Sequence, residues 1–145
     1  MQIKKVYLDA NILLDYLVDS RFKHEELDRV IEYCLAHNFE IMTSCDIVIT
    51  IYYIDAKLGK QRALENIIKM NMFVKIIDFS NKEVAQTCQL IKDDEDYVDL
   101  EDTLQYVLAQ KEQCDVIISN DRGFVSKKIE LLSSGAFIEK YISNA

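Results

Sequence analysis

Short apolar segments alternate with longer amphipathic segments along most of this chain, and this alternation is what most limits the folds it can adopt. The apolar segments have the length and composition of buried strands and lie at residues 4–8, 39–43, 73–79 and 115–119. Helical spacing of apolar residues predicts helices between them, at 24–37, 45–58, 60–71, 81–93 and 100–112. Neighbouring parallel strands need long connections, so the alternation predicts a mainly parallel sheet.

The fold class expected from this pattern is an α/β three-layer sandwich around a four- or five-stranded sheet. The segment FIEKYIS, at 137–143, is expected to add a final edge strand. The 145 residues include no proline and three glycines, and no stretch has the composition of a linker. We therefore expect one domain over residues 1–145, with a core large enough to fold without a metal or disulfide.

Composition restricts the possible functions. The net charge of −8 argues against broad, non-specific attraction to nucleic acid, which depends on Lys and Arg. It leaves a nuclease open, because divalent cations bound to clustered carboxylates reverse the local charge. No apolar run approaches the roughly 20 residues that span a bilayer, and MQIKKVYLDA lacks the features of a signal peptide, so we expect a cytoplasmic protein without membrane contact. The four cysteines form no CxxC pair and are expected to be buried free thiols.

Carboxylates gather at one predicted edge of the sheet. Asp9 directly follows the first strand, and Asp121 follows the fourth. The helix that leads into the fourth strand must begin at that same edge, and its first turn carries Asp99, Glu101 and Asp102. Open parallel sheets place their sites beyond the carboxyl ends of the strands, near the point where strand order reverses.

If the first and fourth strands are neighbours, Asp9, Asp102 and Asp121 converge from three separate parts of the sequence. Such a cluster repels itself unless a proton or a cation neutralises it. Ligands that are all oxygens suit a hard ion such as Mg²⁺ or Mn²⁺. The chemistry that this arrangement supports is attack of water on a phosphodiester. The helix after the second strand brings Asp46 and, one turn later, Thr50 to the same edge.

Each acid also has an ordinary structural interpretation. Asp99 fits the N-cap of its helix, and Asp102 in the first turn suits the helix dipole. Asp9 fits the cap of a helix that begins two or three residues later, and Asp121 lies in NDRG, a good turn sequence. Three independent caps and turns need not meet at one sheet edge, and this positional agreement favours a shared site.

These segments resemble the PIN domain, the metal-dependent ribonuclease fold of VapC-like toxins. VYLDANILLDYL is similar to the family's opening strand with its first acid, Asp9, followed by Asn11. DLEDTLQYVLAQKEQCDVIISNDRGF is similar to its second half, with Asp102 and Asp121 as acids and Ser119 as the small hydroxyl residue. The resemblance covers essentially the whole chain and implies that the three acids are catalytic and bind the metal, with Asn11 and Ser119 supporting them.

The acids before and after Leu100 match an extended form of the motif, DxED, found in one branch of the family. The resemblance implies supporting roles for Asp99, as an additional metal ligand, and for Glu101. One position departs from the pattern, because many members carry Glu where this chain has Thr50 in SCDIVITIYYI. Thr50 is a poor metal ligand at neutral pH. Asp46, one helical turn earlier, is the candidate substitute.

The leading hypothesis is a Mg²⁺- or Mn²⁺-dependent endoribonuclease that cuts RNA as the toxin of a toxin–antitoxin pair. The resemblance implies a small antitoxin protein as partner and a homodimer. The alternative is a PIN-like module that binds RNA or protein and has weak or no catalysis, as Thr50 suggests. A third interpretation, an aspartyl phosphatase or phosphoacceptor domain, would be expected to show DxD after the first strand, whereas this chain has Asp9, Ala10 and Asn11.

Overall fold

A computed structural model describes residues 2–143, and its centre is one five-stranded sheet. All paired strands are parallel, and the order across the sheet is β3-β2-β1-β4-β5. The strands are β1 (Lys5–Leu8), β2 (Glu40–Ser44), β3 (Val74–Ile77), β4 (Val116–Ile118) and β5 (Glu130–Leu132). The expected mainly parallel sheet is confirmed, and of the four or five strands expected it has five.

Helices connect the strands and cover both faces of the sheet. They are α1 (Ala10–Leu17), α2 (His24–Ala36), α3 (Cys45–Asp55), α4 (Lys60–Asn71), α5 (Asn81–Asp93), α6 (Leu100–Lys111) and α7 (Ser134–Phe137). A short 3₁₀ turn extends α3, and a π-helical turn extends α7. The predicted long helices therefore begin and end within a few residues of their expected bounds.

Alternate residues of the central strands enter two separate cores, one on each face of the sheet. Val6 and Leu8 of β1 pack into the core beneath α1, α2 and α3, whereas Tyr7 packs into the core beneath α5 and α6. In β4, Ile117 lies on the same side as Tyr7. Strands buried on both faces read as continuous apolar runs, which is why the sequence pattern identified them. The three-layer architecture is confirmed.

The strand order reverses between β1 and β4, and this reversal positions the site. The chain moves outward from β1 through β2 to β3, then crosses back to place β4 on the other side of β1. Val6, Tyr7 and Leu8 of β1 pair in register with the three residues of β4. The crevice at the carboxyl ends of β1 and β4 is therefore the topological switch point of the sheet.

The predicted edge strand at 137–143 is wrong, because these residues belong to α7 and the π-helical turn after it. The apolar residues of this segment are Phe137, Ile138, Tyr141 and Ile142. They recur at i, i+1, i+4 and i+5, which is the spacing of one helix face, whereas a strand would show alternation. The fifth strand is instead β5, at Glu130–Leu132, which pairs with β4.

The four cysteines are free, and the expectation that they are buried holds for two of them. Cys34 and Cys114 are buried, Cys45 is half-buried and Cys88 is exposed. Burial raises the pKa of the Cys34 thiol to about 12, so this thiol is inert at neutral pH. Among residues 2–143, no helix has both the length and the apolar character needed to cross a bilayer.

Candidate metal centre

Asp9 is the buried member of the carboxylate cluster. It follows β1 directly, is 6% exposed, and caps α1 because its Oδ1 accepts a hydrogen bond of 2.7 Å from the backbone N–H of Ala10. Its own N–H donates to the Ile118 carbonyl at 3.1 Å, which continues the β1–β4 ladder by one step. The helix cap and the ladder together fix this carboxylate at the switch point.

Ser119 joins two of the acids. Its Oγ donates to Oδ2 of Asp9 at 2.8 Å and accepts a hydrogen bond of 3.1 Å from the backbone N–H of Asp121. Asp121 then forms a turn, in which its Oδ1 accepts from the Gly123 N–H at 2.8 Å. Ser119 is 5% exposed, so both of its contacts are shielded from water. The hydroxyl thus sets the orientation of the Asp9 carboxylate and the position of the Asp121 backbone.

Asp102 approaches from α6. Asp99 is the N-cap of this helix, since its Oδ1 accepts a 2.9 Å hydrogen bond from the Asp102 N–H. The capping interpretation of Asp99 is therefore confirmed. Asp9, Asp102 and Asp121 each offer a carboxylate oxygen, and these three oxygens all lie within 4.8 Å of one another. The convergence predicted from sheet topology is present.

The proximity of the acids changes the titration of Asp102. Partial burial, a hydrogen bond with Asp121, and the charges of Asp9, Asp121 and Asp99 raise the pKa of the Asp102 carboxyl to about 7. Like charges this close cannot all remain ionised without compensation, so near neutral pH a proton neutralises part of the cluster. A divalent cation would provide the same compensation more strongly. The donor set consists of carboxylate oxygens, which fits a hard cation.

Two further acids face the same crevice from α3 and α6. Glu101 lies at its exposed rim, where partial burial of the carboxyl, followed by the charges of Asp46, Asp9 and Asp99, raises its pKa. Asp46 belongs to the first turn of α3, and the Ser44 hydroxyl donates to its Oδ1. Glu101 is thus close enough to both Asp9 and Asp46 for their charges to interact.

Thr50 and Asn11 make fewer contacts with this arrangement. The Thr50 hydroxyl donates to the backbone carbonyl of Asp46 at 3.5 Å, a bond within its own helix. Asn11 is exposed in the first turn of α1, and its side chain forms no hydrogen bond with residues 2–143. Thr50 therefore leaves the charge of the usual Glu missing, while the nearest acid on α3 is Asp46.

A polar network behind the site was not predicted from the sequence. Asn120, between Ser119 and Asp121, donates from its side chain to Ser134 Oγ and accepts from the Ser134 N–H, both at 3.0 Å. The fully buried Ser134 hydroxyl also donates to Glu26 of α2. The network anchors the loop that carries Asp121 to two other elements. Asn120 in ISND is a local signal for it, but Ser134 and Glu26 are distant in sequence and gave none.

The comparisons with known proteins agree with this geometry. A family model for the PIN domain matches residues 6–130. The chain is 39% identical over 141 residues to Ribonuclease VapC1 of Aquifex aeolicus (strain VF5), which covers 97% of this chain and 98% of that protein. The aligned region includes both halves of the carboxylate site, because it covers nearly the whole chain.

Solved structures show the same fold at lower sequence identity. VapBC2 from Rickettsia felis, crystallised with a DNA fragment from its promoter, superposes with a TM-score of 0.70 at 20% identity, covering 88% of this chain and 96% of that one. A toxin–antitoxin complex from Klebsiella pneumoniae gives a TM-score of 0.65 at 17% identity, with coverage of 89% and 97%. At these identities the likeness concerns the fold.

Proposed function

The chain belongs to the PIN domain family, and we propose that it is a metal-dependent endoribonuclease that serves as the toxin of a toxin–antitoxin pair. The observation that carries this proposal is the group of three carboxylates at the switch point, whose oxygens lie within 4.8 Å of one another. The 39% identical relative is named a ribonuclease, and its match covers nearly the whole of both chains. Fold, family and site geometry therefore support one activity.

We assign the metal to Asp9, Asp102 and Asp121, with Mg²⁺ or Mn²⁺ as the ion, because the donors are hard oxygens. An ion bound there would lower the pKa of a water molecule and stabilise negative charge on the phosphodiester oxygens. Asp99 is a supplementary ligand in this proposal, although its Oδ1 already caps α6. A cation bound there would compensate the same crowding of charge that raises the pKa of the Asp102 carboxyl.

The remaining side chains prepare the carboxylates. Ser119 fixes Asp9 through its donated hydrogen bond and holds the Asp121 backbone through its accepted one. Glu101 and Asp46 supply negative charge on the side where the family's Glu is replaced by Thr50. Asn11, in the first turn of α1, is positioned to orient water or a phosphate oxygen. In this scheme Thr50 contributes only to α3, where its hydroxyl bonds the backbone.

We propose a small antitoxin protein as the partner, because structural relatives of this chain include toxin–antitoxin complexes. RNA is the proposed substrate, which implies that the protein acts in the cytoplasm. A homodimer is the proposed assembly. Analytical ultracentrifugation of the chain alone and with a candidate antitoxin would test both assemblies. A monomer that binds no such partner would contradict them.

The activity can be tested with purified protein, Mn²⁺ and a panel of single-stranded and structured RNAs. We expect cleavage by the wild-type chain and at least a hundredfold loss in Asp9→Asn and Asp102→Asn, since each removes a charged ligand. Asp28→Asn is a matched control, because Asp28 on α2 forms no hydrogen bond or ion pair with residues 2–143. Equal cleavage in all four proteins would point to a contaminant and overturn the assignment.

Thr50 favours one second candidate, a PIN-like module that binds RNA or protein without cutting RNA. Its hydroxyl is committed to the Asp46 carbonyl, so it brings no charge to the crevice. Absence of cleavage across the whole RNA panel, together with retained RNA binding, would support this module. Mn²⁺ binding that depends on Asp9 and Asp102 but produces no cleavage would support it as well.

A further inference from the structure

A cleft opens beside the carboxylate cluster, between the loop that precedes α2 and the loops that follow β4 and β5. Its volume is about 450 Å³, within the range of small-molecule sites, and its lining includes Lys23, Ser119, Asp121, Arg122 and Ser133. Ser119 and Asp121 belong to both the cleft and the carboxylate cluster, so the cleft leads directly to the proposed metal. A larger cleft of about 560 Å³ lies between α5 and α6, and none of its lining residues belongs to the cluster.

Two cations in this cleft are available for an anion. The Arg122 side chain is exposed and makes no hydrogen bond or ion pair with the described part of the chain. Lys23 has one ion pair, to Glu26 at 3.8 Å, and partly exposed pairs of this length contribute little. In a chain of net charge −8, the lining of the cleft carries two cations and one acid, Asp121. A phosphate group that enters the cleft is attracted by these two cations.

An exposed aromatic residue adjoins one of these cations in the sequence. Phe22 directly precedes Lys23 in the loop before α2 and is 99% exposed. A fully exposed phenyl ring buries no surface in the folded chain, so it contributes nothing to the core. Exposed rings beside cations are the usual elements that hold single-stranded nucleic acid, because every base offers a face for stacking.

We propose that the basic cleft, defined as Lys23 and Arg122 together with Phe22, the residue before Lys23, holds the unpaired RNA nucleotides adjacent to the phosphate that is cut. Lys23 and Arg122 contact backbone phosphates, and Phe22 stacks on a base. The inference rests on the proposed ribonuclease function. It adds where the RNA binds next to the carboxylates and that the bound RNA is single-stranded. An unpaired strand is required because the bases of a duplex have no free face for the ring.

Charge favours RNA over a protein as the occupant of the basic cleft. An exposed phenyl ring alone would suit a protein partner equally well. The two cations, however, adjoin carboxylates whose proposed substrate is a phosphodiester, and a strand bound at the cluster must continue past them. A protein segment there would need its own acidic side chains to pair with Lys23 and Arg122.

Binding can be measured separately from cleavage in an Asp102→Asn background, with a fluorescent single-stranded RNA oligonucleotide at fixed Mg²⁺ and increasing KCl. The variant Lys23→Gln/Arg122→Gln removes both cations. Each phosphate contact with a single strand contributes about 0.7 to the slope of log affinity against log salt, so the loss of two contacts should reduce the slope by about 1.4. Phe22→Ala should weaken binding about tenfold with an unchanged slope. Duplex RNA of the same sequence should show little dependence on Phe22.

Matched controls separate local from general effects. Lys60→Gln/Lys92→Gln removes the same charge from exposed residues of α4 and α5 whose side chains make no hydrogen bond or ion pair with residues 2–143, and should leave the slope unchanged. Met72→Ala removes a side chain that is 82% exposed and should leave affinity unchanged. Circular dichroism of each variant checks that the fold is intact.

The outcomes distinguish this inference from the function on which it rests. If the wild-type chain cuts RNA but the basic-cleft variants bind and cut like the controls, the cleft is not the substrate path and the ribonuclease assignment stands. If no RNA is cut, the proposed function fails and the inference fails with it. If Phe22→Ala leaves RNA binding unchanged, the stacking role is wrong and the ring belongs to a protein contact.

Discussion

Replacing Asp102 with Asn should stabilise the metal-free protein at alkaline pH while abolishing cleavage. The Asp102 carboxyl is half-buried and lies against the carboxylates of Asp9 and Asp121, and its pKa is raised from 3.8 to about 7. A raised pKa means that the folded state binds more protons than the unfolded state between about pH 4 and pH 7. The free energy of unfolding therefore falls as pH rises through this interval and stays low above it.

The size of the effect follows from the shift. The pKa of Asp102 rises by about three, and a pKa change of one corresponds to about 1.4 kcal/mol. The loss in free energy of unfolding therefore has an upper bound of about 4 kcal/mol. Because Asp102 is partly exposed, water screens the repulsion, and we reduce the figure to about 2 kcal/mol. Asn at this helix position gives up about 0.5 kcal/mol of interaction with the helix dipole. The net gain expected for Asp102→Asn above pH 7 is thus about 1 to 2 kcal/mol, and near pH 4 the gain should vanish.

The assay is urea denaturation in EDTA at pH 4.5 and pH 8, monitored by circular dichroism. Asp28→Asn serves as the control for loss of a carboxylate and should show no gain that depends on pH. Adding Mn²⁺ at pH 8 should stabilise the wild-type chain more than Asp102→Asn, because the ion relieves the same repulsion that the substitution removes. The quantity to compare is the free energy of unfolding of Asp102→Asn minus that of wild type at each pH. If this difference is no larger at pH 8 than at pH 4.5, the argument from repulsion among these carboxylates is refuted.

Three other experiments probe the supporting residues. Ser119→Ala should weaken Mn²⁺ binding by calorimetry about 10- to 100-fold, because Asp9 loses its orienting hydroxyl; unchanged affinity would contradict this. Asp99→Ala should cost about 1 kcal/mol in urea denaturation, whereas Asp99→Asn keeps a cap and should cost much less; equal losses would show that charge matters more than capping. Glu101→Gln should weaken Mn²⁺ binding more than Thr50→Ala, because only Glu101 carries a charge; the reverse order in the same titration would contradict the supporting role of Glu101.

The sheet and the convergence of three acids could be predicted because they depend on local patterns and on topology. Doubly buried strands read as apolar runs, and the run of β1 ends at Leu8, directly before Asp9. A helix that leads into a parallel strand must start near the carboxyl end of that strand, because it runs antiparallel to the strand. This places Asp102, in the first turn of α6, at the same sheet edge as Asp9 and Asp121. The remaining requirement was adjacency of β1 and β4, which the structure confirms.

Features that depend on distant contacts could not be predicted. FIEKYIS contains enough β-branched and aromatic residues for a strand, but its apolar residues have helical spacing, and Phe137 is fully buried in the core that contains α2. Helical spacing puts Leu100 on the same face of α6 as Leu104 and Leu108, yet Leu100 is 56% exposed at the first position of the helix. The contact from Asn120 through Ser134 to Glu26 joins three elements with no shared local motif.

The backbone holds the acids in place without help from a metal. Asp9 accepts from the Ala10 N–H at the start of α1, Asp121 accepts from the Gly123 N–H in its turn, and the Asp102 N–H is bound by Asp99. Each of these interactions would form in a protein with no metal site, which is why every acid has an ordinary structural explanation. Together they hold three carboxylates close enough to shift the pKa of Asp102 to about 7. Helix and turn formation thus offset the repulsion in advance, so an incoming cation gains the electrostatic relief with little rearrangement of its ligands.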